Sequence, residues 1–416
     1  MNCFTLLYLI ITTLIIMDEY DYEDSKIIDI SYKNLYIFPF SNGIKFAHIK
    51  RLDCSNNNLT CLPSLNKLYS LQFFYCYGNN LTSIPPLNDC LIYLFCSSNR
   101  LKSLPSLPST LEILDCSFNE LLSLPLLPSN LEELDCKHNE LTNLPLIPFN
   151  LKELDCGYNM LTSLPPLNDS LKILHCNNNN LTSLLPKCIK HIVPNSYKNA
   201  LLNTNTNSSS SSSPLHSPNN LPSTLFELFC QENKLTFLPS LPSTLQLLIC
   251  NCNYLTYLPP LNCSLRDLNC SHNKLIFIPP LTSSLQLFNC CYNQLVFIQP
   301  LNNSLQLLIC NNNKLICLPS LHSLQDLIYH NNYIYNIIHD NTLIKIKNNN
   351  DIINRFREKY YLSKFRLKFI SWLWKSREER IKEQFHPDIL YSAINTFNDS
   401  EDSNELDNWI KNNWDF

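Results

Sequence analysis

The stretch "NLEELDCKHNELTNLP", Asn130 to Pro145, holds a short alternating run that ends on Cys136, where a strand core would ordinarily take Leu or Ile. In "LEELDC" apolar and polar residues alternate, the period-two signature of a half-buried strand. Leu134 and Cys136 therefore point inward, and Glu133, Asp135 and Lys137 outward. The cysteine is not isolated. Cys76, Cys96, Cys116, Cys136, Cys156 and Cys176 stand 20 residues apart, and the same step returns in Cys230, Cys250, Cys270, Cys290 and Cys310, while Cys54 leads the first series by 22. Each is preceded by large apolar residues five and two positions back. Each is followed by Asn at three, Leu at five, and usually Leu-Pro or Ile-Pro at eight and nine. A fixed period near 20 residues means one structural unit stacked many times.

One such unit cannot enclose a core, so neighbours stack and pair their strands in parallel. The Leu-Pro half cannot be a helix of useful length, because proline lacks the donor and restricts its predecessor. It is expected to run extended on the convex side. The recurring Asn (Asn57, Asn79, Asn99, Asn119, Asn139, Asn159, Asn179, then Asn233, Asn253, Asn273, Asn293, Asn313 and Asn332) falls where the chain leaves the strand. That turn leaves backbone groups without ladder partners, and a buried amide can satisfy both kinds.

The cysteine reads as a small buried hydrophobe suited to a narrow coil. Disulfides between neighbours are disfavoured, since identical positions send their Cβ atoms parallel. Zinc would want pairs such as C-x-x-C, which do not occur. A nucleophile would be one special cysteine, not twelve equivalent ones.

The consensus L-x-x-L-x-C-x-x-N-x-L-T-x-L-P-x-L-P-x-x resembles the leucine-rich repeat family, with Cys in place of the third Leu. "LPSLP" (Leu104 to Pro108) and "LPLLP" (Leu124 to Pro128) are similar to the short repeats of bacterial effectors. Asn, Ile and Lys richness with only three Gly also resembles repeat proteins of large DNA viruses. The resemblance implies an α/β-type solenoid: a right-handed coil with a parallel concave sheet and an extended convex side. Some effectors similar to this subclass carry a ubiquitin-ligase domain with a catalytic cysteine after the repeats; here the last cysteine, Cys317, lies within them.

Fourteen units are expected, the first degenerate, with Ile30 at the cysteine position and Lys33 in place of Asn, and the last with Tyr329. Such end units are expected of caps. The organisation read from the 416 residues is an apolar and acidic leader (1–24), a first repeat block (25–185), an insertion (186–220), a second block (221–339) and a small helical region (340–416). The insertion contains "IKHIVPNSYKNALLN", a candidate decayed repeat, and "TNTNSSSSSSPLHSPNN" (Thr204 to Asn220), expected to be a disordered loop.

The leader "MNCFTLLYLIITTLIIMDEY" is short for a membrane span and lacks a basic start and an A-x-A-like cleavage site. It reads as a soluble or capping segment beginning at Met1 or Met17, or alternatively as a signal or anchor. The sequons at Asn58, Asn80 and Asn180 matter only for a secreted chain. A thiol ladder suits a reducing, intracellular compartment. In the last region Ile353, Phe356, Tyr360, Leu367, Ile370 and Trp374 keep helical spacing. Ten basic residues face three acidic ones between Arg355 and Lys382, before a tail with eight acids. This reads as a helical cap neutralised by its tail; a membrane or nucleic-acid patch is the alternative, and nucleic acid is not expected. The run "WLWKSREERIKEQFHPDIL" resembles a tail module of some viral proteins.

Net charge is −4, and no G-x-x-x-x-G-K-S/T, G-x-S-x-G or H-E-x-x-H occurs. No enzyme, metal or cofactor is expected. The expected function is protein binding on the concave face, or recognition by a secreted or tethered protein. The candidate contact residues are outward strand positions. Asp115, Asp135 and Asp155 form an acidic column with Glu133 and Glu153 beside it, a solvated face by default or a site for a basic segment of a partner. Phe229, Leu247, Ile249, Leu287, Leu307, Ile309 and Ile328 form an apolar strip further on.

Overall fold

The computed structural model describes residues 26–39, 48–65, 68–185, 220–338 and 342–376, with helical side chains described as far as 359. The expectations for the leader, for the insertion up to 219 and for the tail beyond 376 lie outside these residues. Compactness divides the chain into two units, Met1–Lys347 and Asn348–Phe416.

The first unit is one parallel sheet of fourteen strands in sequence order. They are β1 (Ile27–Asp29), β2 (Arg51–Asp53), β3 (Phe73–Tyr75), β4 (Tyr93–Phe95), β5 (Ile113–Asp115), β6 (Glu133–Asp135) and β7 (Glu153–Asp155). After these come β8 (Ile173–His175), β9 (Glu227–Phe229), β10 (Leu247–Ile249), β11 (Asp267–Asn269), β12 (Leu287–Asn289), β13 (Leu307–Ile309) and β14 (Asp326–Ile328). The strands are only three residues long, shorter than the alternating run implies. Every pair keeps the consensus register, as in Leu134 opposite Leu154. β8 pairs directly with β9, Ile173 opposite Glu227, so the insertion places no strand between them.

The middle residue of each strand and the cysteine after it fill the interior. All twelve repeat cysteines are fully buried, and all are free thiols. Burial first, and neighbouring thiols and carboxylates second, push the Cys136 thiol far above its ordinary range; burial alone pushes Cys250 up to about 12. The ladder is therefore packing, unreactive while the coil is closed.

The Asn ladder links coils rather than closing them. Asn139 Nδ2 donates to the carbonyls of Cys136 (3.1 Å) and Lys137 (3.2 Å) in its own turn, and to Cys116 (3.0 Å) in the coil before. Its Oδ1 accepts from the Leu121 N–H, also in the coil before (2.9 Å). Each Asn thus serves the preceding turn. That explains Lys33: no coil precedes this one among the described residues, and Asn57 serves it through the Lys33 and Leu35 N–H groups, both at 3.0 Å. At the other end no coil follows among the described residues, and the turn becomes a 3-10 segment, Tyr333–Asn336, in which the Ile334 N–H donates to the Leu315 carbonyl of the coil before (2.8 Å) and the Tyr335 N–H to the Asn332 carbonyl (3.1 Å). Ile334 and Ile338 close the core there, and the Tyr329 hydroxyl donates to the Ile338 carbonyl.

Two further devices were not visible in the consensus. The residue two past each cysteine is left-handed, with φ between 50° and 55° in every repeat except that of Gly78, at 65°. Phe118, His138, Tyr158 and Tyr292 accept this conformation, which is costly for a bulky side chain. Their rings stack from coil to coil: Phe118 on His138 at 4.2 Å, and His138 on Tyr158 at 4.0 Å. On the Leu-Pro half, which carries no helix among the described residues, Thr and Asn side chains bind the previous coil. Thr110 Oγ1 donates to the Leu91 carbonyl at 2.7 Å, and Asn168 Nδ2 to that of Pro148 at 2.6 Å.

Helix α1 (Leu343–Ser376) follows the last coil. Its first turn belongs to the first unit, and Lys347 Nζ donates to the Leu324 carbonyl at 2.7 Å. Ile353 and Phe356 lie on this helix, as their spacing implies, and Phe356 is exposed. No described helix is long and apolar enough to cross a membrane.

Removing one amide orphans the Leu121 N–H and takes one of two donors from each of the Cys116, Cys136 and Lys137 carbonyls, so Asn139→Ala should cost roughly 1–3 kcal/mol. Cys136→Ala, which only deletes a small side chain from the core, should cost roughly 1–2 kcal/mol. Urea unfolding of both variants checks the order; greater damage from the cysteine change would overturn the ladder account.

Candidate functional site

The solvent face of the sheet is built by the first and third residues of each strand. All twelve candidate residues stand there, and none is buried. Their environments differ from the sequence picture in three respects.

The acidic column is largely spent on the fold. The carboxylate that ends a strand accepts from the backbone N–H two residues on: Asp115 from Ser117 (3.0 Å), Asp135 from Lys137 (3.1 Å), Asp155 from Gly157 (3.1 Å). Asn269 and Asn289 do the same further along, to Ser271 and Cys291. This is an Asx turn, and it accounts for Asp or Asn at that position without any partner. Cations and hydroxyls absorb the remaining charge. Lys137 Nζ bridges Asp135 (2.8 Å) and Asp155 (3.1 Å), and Ser97 and Ser117 hydroxyls each donate to Asp115 at 2.7 Å.

The titration of the column follows this wiring. Burial pushes the Asp155 carboxyl up, but the His175 imidazole 3.6 Å away and the hydrogen bonds from the Gly157 N–H and Lys137 more than offset it and hold it below the usual range. At Asp135 burial wins over the Lys137 hydrogen bond, and the group titrates above its usual range. Glu133, opposite Glu153 in register, is also raised, by burial first and by Glu153 and Glu132 next. A raised carboxyl costs the folded state stability as pH rises from its unfolded value through its folded one, so near neutrality the cost at Asp135 and Glu133 is fully present.

The apolar strip is not continuous. Phe229 faces Ile249, but Asn269 and Asn289 follow in that column before Ile309 and Ile328. In the other column Asp267 lies between Leu247 and Leu287, and Leu307 closes the run. The outcome is two short patches, Phe229 with Leu247 and Ile249 on β9–β10, and Leu287 with Leu307, Ile309 and Ile328 on β12–β14.

The largest aromatic group on this face was missed. Phe73 lies edge-on to Tyr93 at 5.0 Å, and Tyr75 stacks on Phe95 at 5.1 Å. The Arg51 guanidinium covers the Tyr75 ring at 4.6 Å. These five side chains sit side by side on β2–β4. Their signal in the sequence is aromatic residues at the same alternating outward positions of β3 and β4.

At the centre, His175 lies between Asp155 (3.6 Å) and Glu227 (3.9 Å), with its ring against Phe229. Among the described residues no cluster of three or more His, Cys, Asp or Glu side chains could hold a metal ion.

Comparison with known proteins fits this geometry. A family model described as "Leucine Rich repeats (2 copies)" matches residues 48–89. No curated protein matches by sequence. YopM from Yersinia enterocolitica WA-314 is 29% identical with a TM-score of 0.58, over 74% of this chain and 65% of that one, so this chain spans just under two thirds of its length. YopM of Yersinia pestis, a leucine-rich effector protein, is 27% identical with a TM-score of 0.52, over 68% of this chain and 78% of that one. The functional domain of InlJ from Listeria monocytogenes, which includes a cysteine ladder, shares the fold at 24% identity and a TM-score of 0.50, over 69% of this chain and 64% of that one. The chain has a leucine-rich-repeat fold, with repeats similar to those of bacterial effector proteins.

Proposed function

We propose that the protein is a non-catalytic scaffold that holds a protein partner on the concave, solvent-facing side of its sheet. The observation that carries this reading is the aromatic group of Phe73, Tyr75, Tyr93 and Phe95 with Arg51. Aromatic residues and Arg dominate the energetic centres of interfaces, where they are held rigid and lose little entropy on docking. Here each ring is fixed by its neighbour in register. The aliphatic patch of Leu287, Leu307, Ile309 and Ile328 forms a second contact. Between them Glu133 and Glu153 keep a residual repulsion that a basic segment of the partner relieves. A reducing, intracellular compartment suits this scaffold, because its twelve stacked thiols remain thiols there.

The test is affinity purification of the full chain followed by mass spectrometry. Tyr75→Asp with Phe95→Asp should lose the recovered protein partner while the chain still folds, because Asp occupies the same column in neighbouring coils. An unchanged set of recovered proteins would overturn the assignment to this face. Leu287→Ser with Leu307→Ser should raise the off-rate, since lost apolar contact is felt after docking; unfolding instead would mean that these side chains are core.

The acidic column gives a separate prediction. Asp115→Asn, Asp135→Asn and Asp155→Asn together keep the Asx acceptor, so the fold should hold, while association slows and its salt dependence flattens. The corresponding Ala changes remove the acceptor and should lower stability by about 1 kcal/mol each. Equal stability of the Asn and Ala sets in thermal melts would dismiss the turn role.

A further inference from the structure

On the flank of the coil, past the Asn turn, two exposed columns change character along the chain. They lie six and seven residues after each cysteine. In the earlier coils they hold Thr82–Ser83, Lys102–Ser103, Leu122–Ser123, Thr142–Asn143, Thr162–Ser163 and Thr182–Ser183. In the later coils they hold Thr256–Tyr257, Ile276–Phe277, Val296–Phe297 and Ile316–Cys317. These are not core residues displaced outward: Ile276 is 58% exposed and Ile316 56%, with Tyr257, Phe277, Val296 and Phe297 all above 40%. The coils are stacked here as elsewhere, and the Ile316 N–H donates to the Val296 carbonyl at 3.1 Å. The side chains therefore form one contiguous apolar strip, and an exposed strip of this kind calls for a covering surface.

Its chemistry is set by the column beside it, four residues after each cysteine. There the later coils carry Lys234, Tyr254, Lys274, Gln294 and Lys314, all exposed, where the earlier coils carry Asn58, Asn80, Arg100, Glu120, Glu140, Met160 and Asn180. Lys274 Nζ lies 4.8 Å above the Tyr254 ring, so the row mixes ammonium groups with aromatic faces. The charge contrast is local, since residues 221–339 as a whole hold four acidic and four basic residues. From Cys230 to Gln325, the coils that carry the strip, there are two acidic and four basic. Two copies meeting by a two-fold axis through the strip would bring lysine rows together, which disfavours self-association. Aliphatic and aromatic side chains beside lysines, with acids nearly absent, match an anionic bilayer: the apolar tips enter the headgroup boundary and the long cations reach phosphates.

We propose that the flank formed by Tyr257, Ile276, Phe277, Val296, Phe297 and Ile316, with Lys234, Lys274 and Lys314, docks on an anionic lipid surface. This surface is separate from the sheet face, so the scaffold would be held at a membrane with that face free for its partner.

The test is co-sedimentation of the full chain with vesicles of phosphatidylserine and phosphatidylcholine, against vesicles of phosphatidylcholine alone. The wild type is expected in the pellet only with the anionic vesicles, and less so as salt rises. Ile276→Thr, Phe277→Ser, Val296→Thr, Phe297→Ser and Ile316→Thr together install residues that earlier coils already carry in these columns. They should leave the thermal melt in place and reduce partition at least about tenfold. Lys274→Glu with Lys314→Glu, residues tolerated in that column as Glu120 and Glu140, should weaken anionic binding without changing the fold. The proposal fails if the wild type stays in solution with anionic vesicles at low salt. It fails equally if the fivefold variant pellets as well as the wild type, which would point to the basic segment after Arg355. A concentration-dependent dimer in sedimentation equilibrium that the fivefold variant abolishes would assign the strip to a second copy and overturn the lipid reading.

Discussion

The fold depends on one side-chain amide per coil. A solenoid turn must leave the sheet and still account for every backbone donor and acceptor it buries, and neither strand nor helix is present to do so. The Asn three residues past each cysteine solves this with its whole hydrogen-bonding capacity, as Asn139 does for the turns of Cys116 and Cys136. Because its strongest obligation is to the coil before, the ladder has a direction. The first described coil needs no Asn, and the last described coil turns instead through the 3-10 segment Tyr333–Asn336. The same bond crosses the insertion unchanged: Asn233 reaches the Cys176 carbonyl at 2.9 Å, although 57 residues separate them. Sequence distance is irrelevant to the ladder once the coils are stacked.

The interior was legible because it repeats. Leu at fixed offsets, Cys136 and its equivalents, and the Asn file are constrained by the same neighbours in each coil, so the period exposes them together. The degenerate ends were legible too, as Ile30 and Tyr329 occupy the cysteine position in buried sites. The surface was less so. Asp115, Asp135 and Asp155 look like a charged face in sequence, yet the structure ties each to a turn N–H, a role that Asn269 and Asn289 share and that alternation alone does not reveal. The left-handed residue was hidden for the opposite reason. Phe118, His138 and Tyr158 occupy it where Gly would be the expected signal, and stacking between rings offsets part of a backbone cost that no single coil could offset alone.

The two faces follow different rules as a result. On the sheet face, side chains answer to register: Phe73 meets Tyr93 and Tyr75 meets Phe95 because the strands pair without slip. A one-residue shift would exchange solvent and core positions throughout, so the aromatic group is as fixed as the core beneath it. On the flank the backbone is irregular but identical from coil to coil, and a column can change from Thr-Ser to Ile-Phe without touching the core. Long repeats can thus acquire surfaces of different chemistry at low cost to folding, because every coil supplies the same scaffold.

The cysteine file has a consequence beyond packing. Twelve thiols lie in one line, each beyond the reach of solvent and far from its ionised form. While the coil is closed, an oxidant finds no thiolate to attack. Local opening changes this at once, since an unstacked coil exposes its thiol and restores ordinary acidity. Any disulfide then formed joins sulfurs that the closed geometry keeps parallel, so the opened coil cannot close again. Under oxidising conditions a reversible fluctuation becomes a one-way step, and the lifetime of the fold is set by how often a coil opens rather than by how stable it is.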